Sequence, residues 1–361
     1  MALRRWWPVA IVLVVSLGLL GWRLSEVDWQ PRELAEIGSQ FAEGDSEGTE
    51  GYDGQFVLFM AEDLSPQRVR ERLDVPAYRY QRILLPVAAR LLALGKVDWV
   101  PWTIILVNLA AHLAGTFALC HLLDLHSRWT GFGLLYGLWA GVLVGVVADL
   151  HEPLAYGLVI FAWWQRERGR PGIAILLLGL SLFAKETTLP FLAAFFLADT
   201  IQRRLDDVWP HYLAILATFG LWQGWLWLTF GEPGLGSGGA GATAFEFIPF
   251  MGLARVAMVD LSVFGLFLLL FGPGILLPAI WGVVRSVFDL VKSANKLPSW
   301  AMLLNAGVIM ALPFSTFREP LGLVRLATGL ILAVIFYAVA NDLKRPLVYG
   351  WFWISYLVLI G

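Results

Sequence analysis

Apolar stretches separated by short polar breaks recur along the whole chain. We assign eleven of them as membrane segments: residues 9–24, 101–123, 131–148, 153–164, 172–184, 188–198, 209–230, 261–284, 300–314, 321–340 and 347–360. Several are shorter than the ~20 residues that a perpendicular helical span needs. The pattern predicts an all-α polytopic membrane protein, a bundle of about eleven membrane segments that forms a single transmembrane domain over residues 1–361.

The distribution of basic residues predicts the orientation of this bundle. Arg4 and Arg5 precede the first apolar run, and no small-residue cleavage site follows it, which predicts an uncleaved first span. Lys and Arg gather in alternate short breaks, at residues 126–128, 166–170, 202–204, 285–296 and 344–345. The positive-inside rule then predicts a cytoplasmic N-terminus and an outer first loop over residues 25–80. Residues 25–78 hold 13 acids and 4 arginines, so this loop is strongly acidic.

Three stretches depart from a simple series of spans. Residues 81–95 are apolar but carry Arg82 and Arg90, which predicts a surface or re-entrant helix. Residues 172–198 hold Lys185 and Glu186 in the middle, so they form either one long span or a hairpin with a sunken tip. In the hairpin, a first arm over 173–184 extends only about 18 Å at 1.5 Å per residue, which is too short to cross a ~30 Å core unaided. The tip would then lie below the outer surface, and Lys185 and Glu186 would line a recess. The outer loop at 231–260 is Gly-rich and lacks the GK[ST] ending of a phosphate-binding loop, which predicts a flexible loop able to act as a lid.

Composition narrows the class of protein. Hydrophobic residues make up 58% of the chain and charged residues 15%, and the formal net charge is −2. These values exclude a disordered chain and a basic nucleic-acid-binding surface, so the predicted partner is the lipid bilayer and no nucleic acid. Cys120 is the one cysteine, which excludes a disulfide framework and a cysteine-based metal site.

Charged and polar residues near the membrane concentrate at the outer ends of the predicted segments. Ionisable groups at membrane depth are costly and usually mark a site or a pathway. Because these residues share one side and one depth, we expect them to form one site. Its candidates are Tyr52, Asp53, Gln55, Arg79, Arg82, Asp149, His151, Glu152, Lys185, Glu186 and Arg318.

Each group also has a purely structural interpretation. Glu152 and Glu319 stand directly before a proline, where an acid complements the start of a helix. Lys185 and Glu186 can neutralise each other at a hairpin tip. Asp53, between Tyr52 and Gly54, is either an acidic surface turn or a carboxylate in a sugar-binding loop.

The residue types suit one chemistry in particular. A carboxylate that faces arginines and a lysine at the outer surface suits group transfer from an anionic lipid carrier, because the cations hold the phosphate and the carboxylate takes a proton from the acceptor hydroxyl. Asp149, His151 and Glu152 have donor types that can bind a divalent metal with Asp53, but Glu152 also serves as the helix-start acid. No cofactor and no metal site are therefore predicted.

Several segments, in order along the chain, resemble the GT-C superfamily of integral-membrane glycosyltransferases, in particular bacterial mannosyltransferase-like enzymes that use lipid-linked sugars. The similar segments are GYDGQF at 51–56, YRYQRILLP at 78–86, DLHEPLAYGL at 149–158, RGRPGIAILLLGLSLFAKETTL at 168–189 and FREPLGLVRL at 317–326. The resemblance implies a GT-C-like fold and an active site on the outer face of a bacterial inner membrane. It also implies a polyprenyl-phosphate-linked sugar as donor and a glycan, lipid or protein as acceptor.

The same resemblance assigns roles to residues. Asp53 takes the place of the general base in the first outer loop, and Asp149, with Glu152 beside it, is the acid of the second outer loop. Lys185, Arg318 and either Arg79 or Arg82 are the implied phosphate contacts. Two other classes of protein remain open: a lipid or polysaccharide transporter or flippase, and a non-catalytic membrane scaffold for envelope assembly.

Overall fold

The computed structural model describes residues 3–293 and 296–360, and 77% of the chain is helical. Within these residues there is no strand. The first ten α-helices are α1 (Leu3–Glu26), α2 (Ser39–Ala42), α3 (Gly54–Glu62), α4 (Pro66–Val69), α5 (Pro76–Tyr80), α6 (Leu84–Leu92), α7 (Val100–Leu125), α8 (Leu134–Gly137), α9 (Ala140–Val147) and α10 (Glu152–Glu167).

The second half of the chain is helical in the same way. Its α-helices are α11 (Pro171–Ala184), α12 (Leu189–Ile201), α13 (Leu205–Phe230), α14 (Met251–Val259), α15 (Leu261–Phe271), α16 (Leu277–Lys292), α17 (Leu297–Met310), α18 (Pro320–Leu326), α19 (Thr328–Ala340) and α20 (Lys344–Tyr349). Short 3₁₀ helices lie at Pro31–Ala35, Arg70–Arg72, Val97–Trp99, Thr130–Gly133, Glu186–Thr188, Phe314–Arg318 and Gly350–Leu359, and a π-helical turn spans Gly272–Leu276. Many of the long helices begin with proline in the first turn, where its missing N–H costs nothing.

The helical class is as predicted, but the number of spans is smaller than eleven. Among the described residues, five helical segments are long and apolar enough to cross a bilayer: Arg4–Glu26, Val97–Leu125, Leu205–Phe230, Leu261–Lys292 and Pro320–Ala340. A sixth is obtained if α8 and α9, which are bent by 56° relative to each other, count as one broken span. The other predicted segments do fall on helices, but these helices are too short to cross. Apolar composition therefore predicted where helices form better than which of them span.

The core of the bundle surrounds α19. Every residue from Thr328 to Val339 is buried, and α19 packs against α10, α16 and α17. Trp163 of α10 stacks on Phe336 at a ring-centroid distance of 4.2 Å. Arg325, near the end of α18, therefore lies directly before α19, the helix at the centre of the core.

Residues 171–201 form a hairpin, as in the second of the two predicted arrangements, and not one long span. At one end, Lys185 after α11 forms an ion pair with Glu152 at the start of α10. At the other end, Arg166 near the end of α10 forms an ion pair with Asp199 near the end of α12. Because α11 runs antiparallel to α10, the second contact requires α12 to return alongside it. The hairpin tip carries Lys185 and Glu186 into the protein, where Lys185 is buried.

The break around α8 and α9 brings irregular backbone into the interior of the bundle. Such backbone needs hydrogen-bond partners from the protein, since lipid offers none. Asn108 of α7 provides them: its Nδ2 donates to the carbonyl oxygens of Gly145 at 3.1 Å and Leu150 at 2.9 Å. This contact fixes the segment at 148–152, which carries three of the predicted site residues.

Two predicted loop features take a more ordered form. In residues 81–95 the helix is α6, which buries Leu85 and Ala89 and exposes Leu91 and Leu92, as a surface helix does. In residues 231–260 the irregular part ends at Phe250, because α14 occupies most of the remainder. The Gly-rich part of this loop contacts the segment before α5, since the backbone N–H of Ala240 donates to Asp74 Oδ2 at 3.0 Å.

Candidate functional site

Five parts of the chain, distant in sequence, meet in one cluster of charged side chains. They are the turn before α3, the segment from α5 to α6, the segment before α10, the hairpin tip and α18. The cluster contains Tyr52, Asp53, Asp74, Tyr78, Arg79, Arg82, Glu152, Lys185, Glu186 and Arg325. We refer to this set as the charged cluster.

Asp53 is the most accessible carboxylate of the central pairs. Its Oδ1 lies 2.9 Å from Arg79 Nη1, and its Oδ2 lies 2.8 Å from Arg325 Nη1. The Asp53 side chain is 31% exposed, whereas those of Arg79 and Arg325 are 8% and 6% exposed. Two buried cations therefore hold a carboxylate that solvent and ligands can reach.

The turn that carries Asp53 packs directly on the segment after α9. A Cβ added at Gly54 would lie 2.2 Å from the carbonyl oxygen of Ala148, so the close approach requires glycine at this position. Tyr52 also packs against a small apolar cluster that includes Ala148 and Leu150. The turn before α3 and the segment at 148–152 thus pack together and form one wall of the site.

Arg325 connects this wall to the helix bundle, and sequence reasoning missed it. Its Nη1 donates to Asp53 Oδ2 and, at 3.0 Å, to the hydroxyl of Tyr52, while its Nε donates to Glu152 Oε1 at 2.7 Å. A signal was present, because Arg325 is the one charged residue in the apolar run 321–340. Charge inside an apolar segment was treated as informative for Arg82, and the same rule applies to Arg325.

The hairpin tip contributes one cation, Lys185, and one anion, Glu186. The structural interpretation expected these two side chains to pair with each other, but each binds a different partner. The Lys185 ammonium binds Glu152 Oε1, so Glu152 is shared between Lys185 and Arg325. Glu186 instead binds Arg82, with Nε to Oε2 at 2.8 Å, and Arg82 also contacts the Tyr78 hydroxyl. Both residues therefore help to join separate elements.

Arg79 is held by a second carboxylate that the sequence did not single out. Its Nε and Nη2 donate to Asp74 Oδ1 and Oδ2 at 2.7 and 2.8 Å, a bidentate geometry that fixes the guanidinium. Asp74 also accepts from the backbone N–H of Ala240. The Gly-rich loop is thereby linked through Asp74 and Arg79 to Asp53.

Four predicted binding residues are not members of the charged cluster: Gln55, Asp149, His151 and Arg318. Arg318 is exposed, and its recorded side-chain contact is with the Phe314 ring. Gln55 is buried with a structural role, since its Oε1 accepts from Gly38 N at 3.1 Å and its Nε2 donates to Glu50 O at 2.7 Å. In this part of the chain, Arg325 rather than Arg318 forms ion pairs with the carboxylates of the charged cluster.

Asp149 and His151 lie beside the charged cluster, and both are buried. Neither carboxylate oxygen of Asp149 has a hydrogen-bond partner among the described residues, and neither does Nδ1 of His151. Asp149 also has a left-handed backbone conformation, with φ of 55°. A non-glycine residue in this conformation is uncommon, and such strain is concentrated at functional sites.

The environment separates the pKa values of the two aspartates. The surrounding protein removes part of the hydration of Asp53 and so opposes its ionisation, but the guanidiniums of Arg325 and Arg79 outweigh this effect and hold the pKa of Asp53 well below its usual range. Burial without a cation partner raises the pKa of Asp149 to about 8. At neutral pH, Asp53 is therefore an anion, whereas Asp149 is mostly neutral and carries a proton.

Burial also changes the protonation of the neighbouring basic groups. Burial, together with the positive charge of nearby Arg82, lowers the pKa of His151 to about 3, so His151 is a neutral imidazole. Burial, together with the positive charges of Arg325 and Arg82, lowers the pKa of Lys185 to about 8, although Glu152 acts in the opposite direction. The charge of Lys185 thus depends on its contact with Glu152.

The formal charges of the cluster cancel, because four carboxylates face four cations. The anions are Asp53, Asp74, Glu152 and Glu186, and the cations are Arg79, Arg82, Lys185 and Arg325. Within residues 3–293 and 296–360, no group of three or more His, Cys, Asp or Glu side chains has the arrangement of a metal site. The cluster offers an accessible carboxylate and buried guanidiniums, and Asp149 beside it offers a protonated carboxyl group. These groups are parts of an acid–base or anion-binding site.

Comparisons with protein-family models, with curated proteins and with solved structures find no match for this chain.

Proposed function

We propose that this protein is a membrane glycosyltransferase of the GT-C kind. It transfers a sugar from a polyprenyl-phosphate carrier to a hydroxyl group of a cell-envelope glycan, lipid or protein. The observation that carries the proposal is the geometry of Asp53, an accessible carboxylate held by Arg79 and Arg325. The several apolar helices of spanning length give such a site access to a lipid-linked donor.

The transfer that we propose is a single displacement at the anomeric carbon of the sugar. The acceptor oxygen forms a bond to this carbon, and the bond from carbon to phosphate oxygen breaks with its electron pair, releasing polyprenyl phosphate. Asp53 takes the proton of the acceptor hydroxyl. In an oxocarbenium-like transition state the hydroxyl becomes acidic as its new bond forms, so a weakly basic carboxylate can accept the proton late.

The pairing of Asp53 supports a role for the arginines in the same step. As Asp53 becomes protonated, Arg79 and Arg325 lose the charge of their partner and can bind the oxygens of the leaving phosphate. Arg79 keeps its orientation throughout, because Asp74 holds it from the other side. The negative charge that Asp53 loses is thus replaced by that of the leaving phosphate, and the net charge of the site stays the same. Pre-oriented cations in a buried site stabilise such a developing charge.

A second candidate function follows from the balanced charges. Each cation of the cluster has a carboxylate partner, as is found in networks that only hold helices together. A non-catalytic membrane scaffold for envelope assembly would use the charged cluster in this way.

One experiment separates these functions. The purified protein, reconstituted in liposomes with radiolabelled polyprenyl-phosphate sugars and extracted envelope acceptors, should produce labelled acceptor and an equal amount of polyprenyl phosphate. Movement of the carrier between leaflets without labelled acceptor would favour a flippase. A protein that neither transfers sugar nor moves carrier would favour the scaffold.

We also propose that the charged cluster faces outward from a bacterial inner membrane, with the N-terminus in the cytoplasm. Cys120 is the one cysteine of the chain and is buried, so new cysteines can be labelled without background. In intact cells, a membrane-impermeant maleimide should label Ser46→Cys in the first outer loop and should not label Arg170→Cys. Labelling of the second variant alone would reverse the orientation. Both positions are exposed.

A further inference from the structure

A second site lies near the C-terminal end of the span Pro320–Ala340, whereas Arg325 of the charged cluster lies near its N-terminal end. A cleft of about 340 Å³ opens between α16, α19 and the C-terminal segment. Its lining includes Pro278, Trp281, Val334, Tyr349 and Trp353, with Arg345 as its one charged residue. We call it the aromatic cleft. The residues of the charged cluster do not line it, so it has to be explained separately.

The C-terminal segment is fixed in place by the π-helical turn before α16. Three aromatic side chains donate to carbonyl oxygens of this region: Tyr349 Oη to Pro273 at 2.7 Å, Trp353 Nε1 to Gly274 at 2.9 Å and Tyr356 Oη to Leu270 at 2.8 Å. These are the backbone groups that need new partners where a regular helix is interrupted.

Close packing makes this arrangement specific. A Cβ added at Gly274 would lie 2.1 Å from the hydroxyl of Tyr356, so only glycine allows the C-terminal segment to approach. The wall of the cleft is therefore formed before a ligand binds. A preformed cleft avoids the entropic cost of ordering side chains upon binding.

The cleft has two chemically distinct parts. Its walls are aromatic and aliphatic, and Leu277, which also lines it, is 57% exposed on the outer surface of the bundle. Arg345 is exposed, and no ion pair of Arg345 is found among the described residues. The nearby Asp342 is already paired with Arg128. The cleft thus combines an apolar channel with an uncompensated positive charge.

The position of these two parts matches the depth profile of a bilayer. Val334 lies six residues before the end of α19, or about 9 Å along the helix axis, whereas Arg345 follows that end. Basic loop residues predict that this end faces the cytoplasm, where anionic lipids are concentrated. The apolar part would then lie in the hydrocarbon region and Arg345 at the level of the lipid headgroups.

We propose that the aromatic cleft binds one anionic phospholipid, with an acyl chain between Trp281 and Trp353 and the phosphate at Arg345. Basic pockets between membrane helices on the cytoplasmic side bind anionic headgroups in this way. The volume of the cleft lies in the range of small-ligand sites. The proposal does not depend on glycosyl transfer at the charged cluster.

Photo-crosslinking tests the proposal in the purified full-length protein in lipid nanodiscs. Phosphatidylglycerol and phosphatidylcholine, each with the same diazirine-bearing acyl chain, are activated separately, and the labelled peptides are mapped by mass spectrometry. Phosphatidylglycerol should label the peptides around 277–281 and 349–353 about fivefold more than phosphatidylcholine does. This factor corresponds to the roughly 1 kcal/mol that one basic residue contributes at a membrane surface.

Three variants separate the headgroup contact from the chain contact. Arg345→Gln should reduce labelling by phosphatidylglycerol to the level of phosphatidylcholine, and Leu277→Trp, which fills the mouth of the cleft, should reduce labelling by both lipids. Arg170→Gln, an exposed arginine of a different loop, should change neither. Equal labelling by the two lipids, or unchanged labelling in Arg345→Gln, would overturn the proposal. Both changed positions in the cleft are exposed, so the variants should fold.

Discussion

Replacing Arg325 by methionine removes the cation that joins the turn before α3 to the helix bundle. The change leaves Glu152 and Asp53 without the contacts at 2.7 and 2.8 Å, and Glu152 is fully buried. Glu152 then keeps only Lys185 and Asp53 keeps only Arg79, so the cluster holds one negative charge more than it has cations. Loss of one partner from a buried ion pair costs about 3–5 kcal/mol, because the remaining charge lies in a medium that solvates it poorly. Methionine has a similar length and adds no new charge, so the lost interactions should dominate.

This free energy converts to a shift in melting temperature. Unfolding entropy of about 2.1 cal/mol/K per residue gives about 0.8 kcal/mol/K for 361 residues, so 3–5 kcal/mol corresponds to about 4–7 °C. Differential scanning fluorimetry of the detergent-purified protein measures the shift.

Arg318 provides the matched control, because it belongs to the same sequence segment but is exposed. Arg318→Met should change the melting temperature by less than about 1 °C, as is usual for surface substitutions. If Arg325→Met melts within 1 °C of the unmodified protein, Arg325 does not hold the cluster together and the proposed geometry is wrong. A loss of equal size in both variants would contradict the distinction between them.

Three further variants test other parts of the site, each by melting temperature. The pKa of Asp149 is raised to about 8 in the folded protein, so the free energy of unfolding decreases as the pH rises from about 4 to 8. Asp149→Asn should therefore be more stabilising at pH 8 than at pH 5. An equal effect at both pH values would refute a buried, unpaired carboxyl group. Gly54→Ala should lower stability by about 1–3 kcal/mol, since its methyl group would collide with the Ala148 carbonyl, whereas Gly18→Ala, in open space, should not. Asn108→Ala should cost about 1–3 kcal/mol because two buried carbonyl groups lose their donor, and no loss would show that α9 does not depend on this contact.

The sequence predicts the helical class and the location of helices well, but not which helices span. Apolar composition indicates that a segment is removed from water. It does not distinguish burial in lipid from burial within the protein. Pro171–Ala184 and Leu297–Met310 are apolar throughout, yet they are shorter than a span. The predicted hairpin over residues 172–198 rests instead on the cost of placing Lys185 and Glu186 near mid-membrane, which apolar composition alone does not include.

The site was predicted in part, and the misses have a physical reason. Asp53, Arg79 and Glu152 were expected from charge near the membrane, and the structure brings them together. Their pairing could not be predicted, since Arg325 reaches Asp53 across 272 positions of sequence and Arg318 stands seven residues earlier with the same charge. The local fold decides between the two arginines, because α18 buries Arg325, whereas Arg318 ends the preceding 3₁₀ helix and is exposed.

The most direct measurement of the central claim is sugar transfer by the unmodified protein and by Asp53→Asn, compared side by side in the same liposomes. We predict labelled acceptor from the unmodified protein and a decrease of about 10²–10⁴-fold in the variant, the range for loss of a general base. A lysine variant of Arg318 should keep its activity and serves as the control. Transfer by Asp53→Asn at the full rate, from the same donor to the same acceptor, would contradict the assignment of Asp53 as the base.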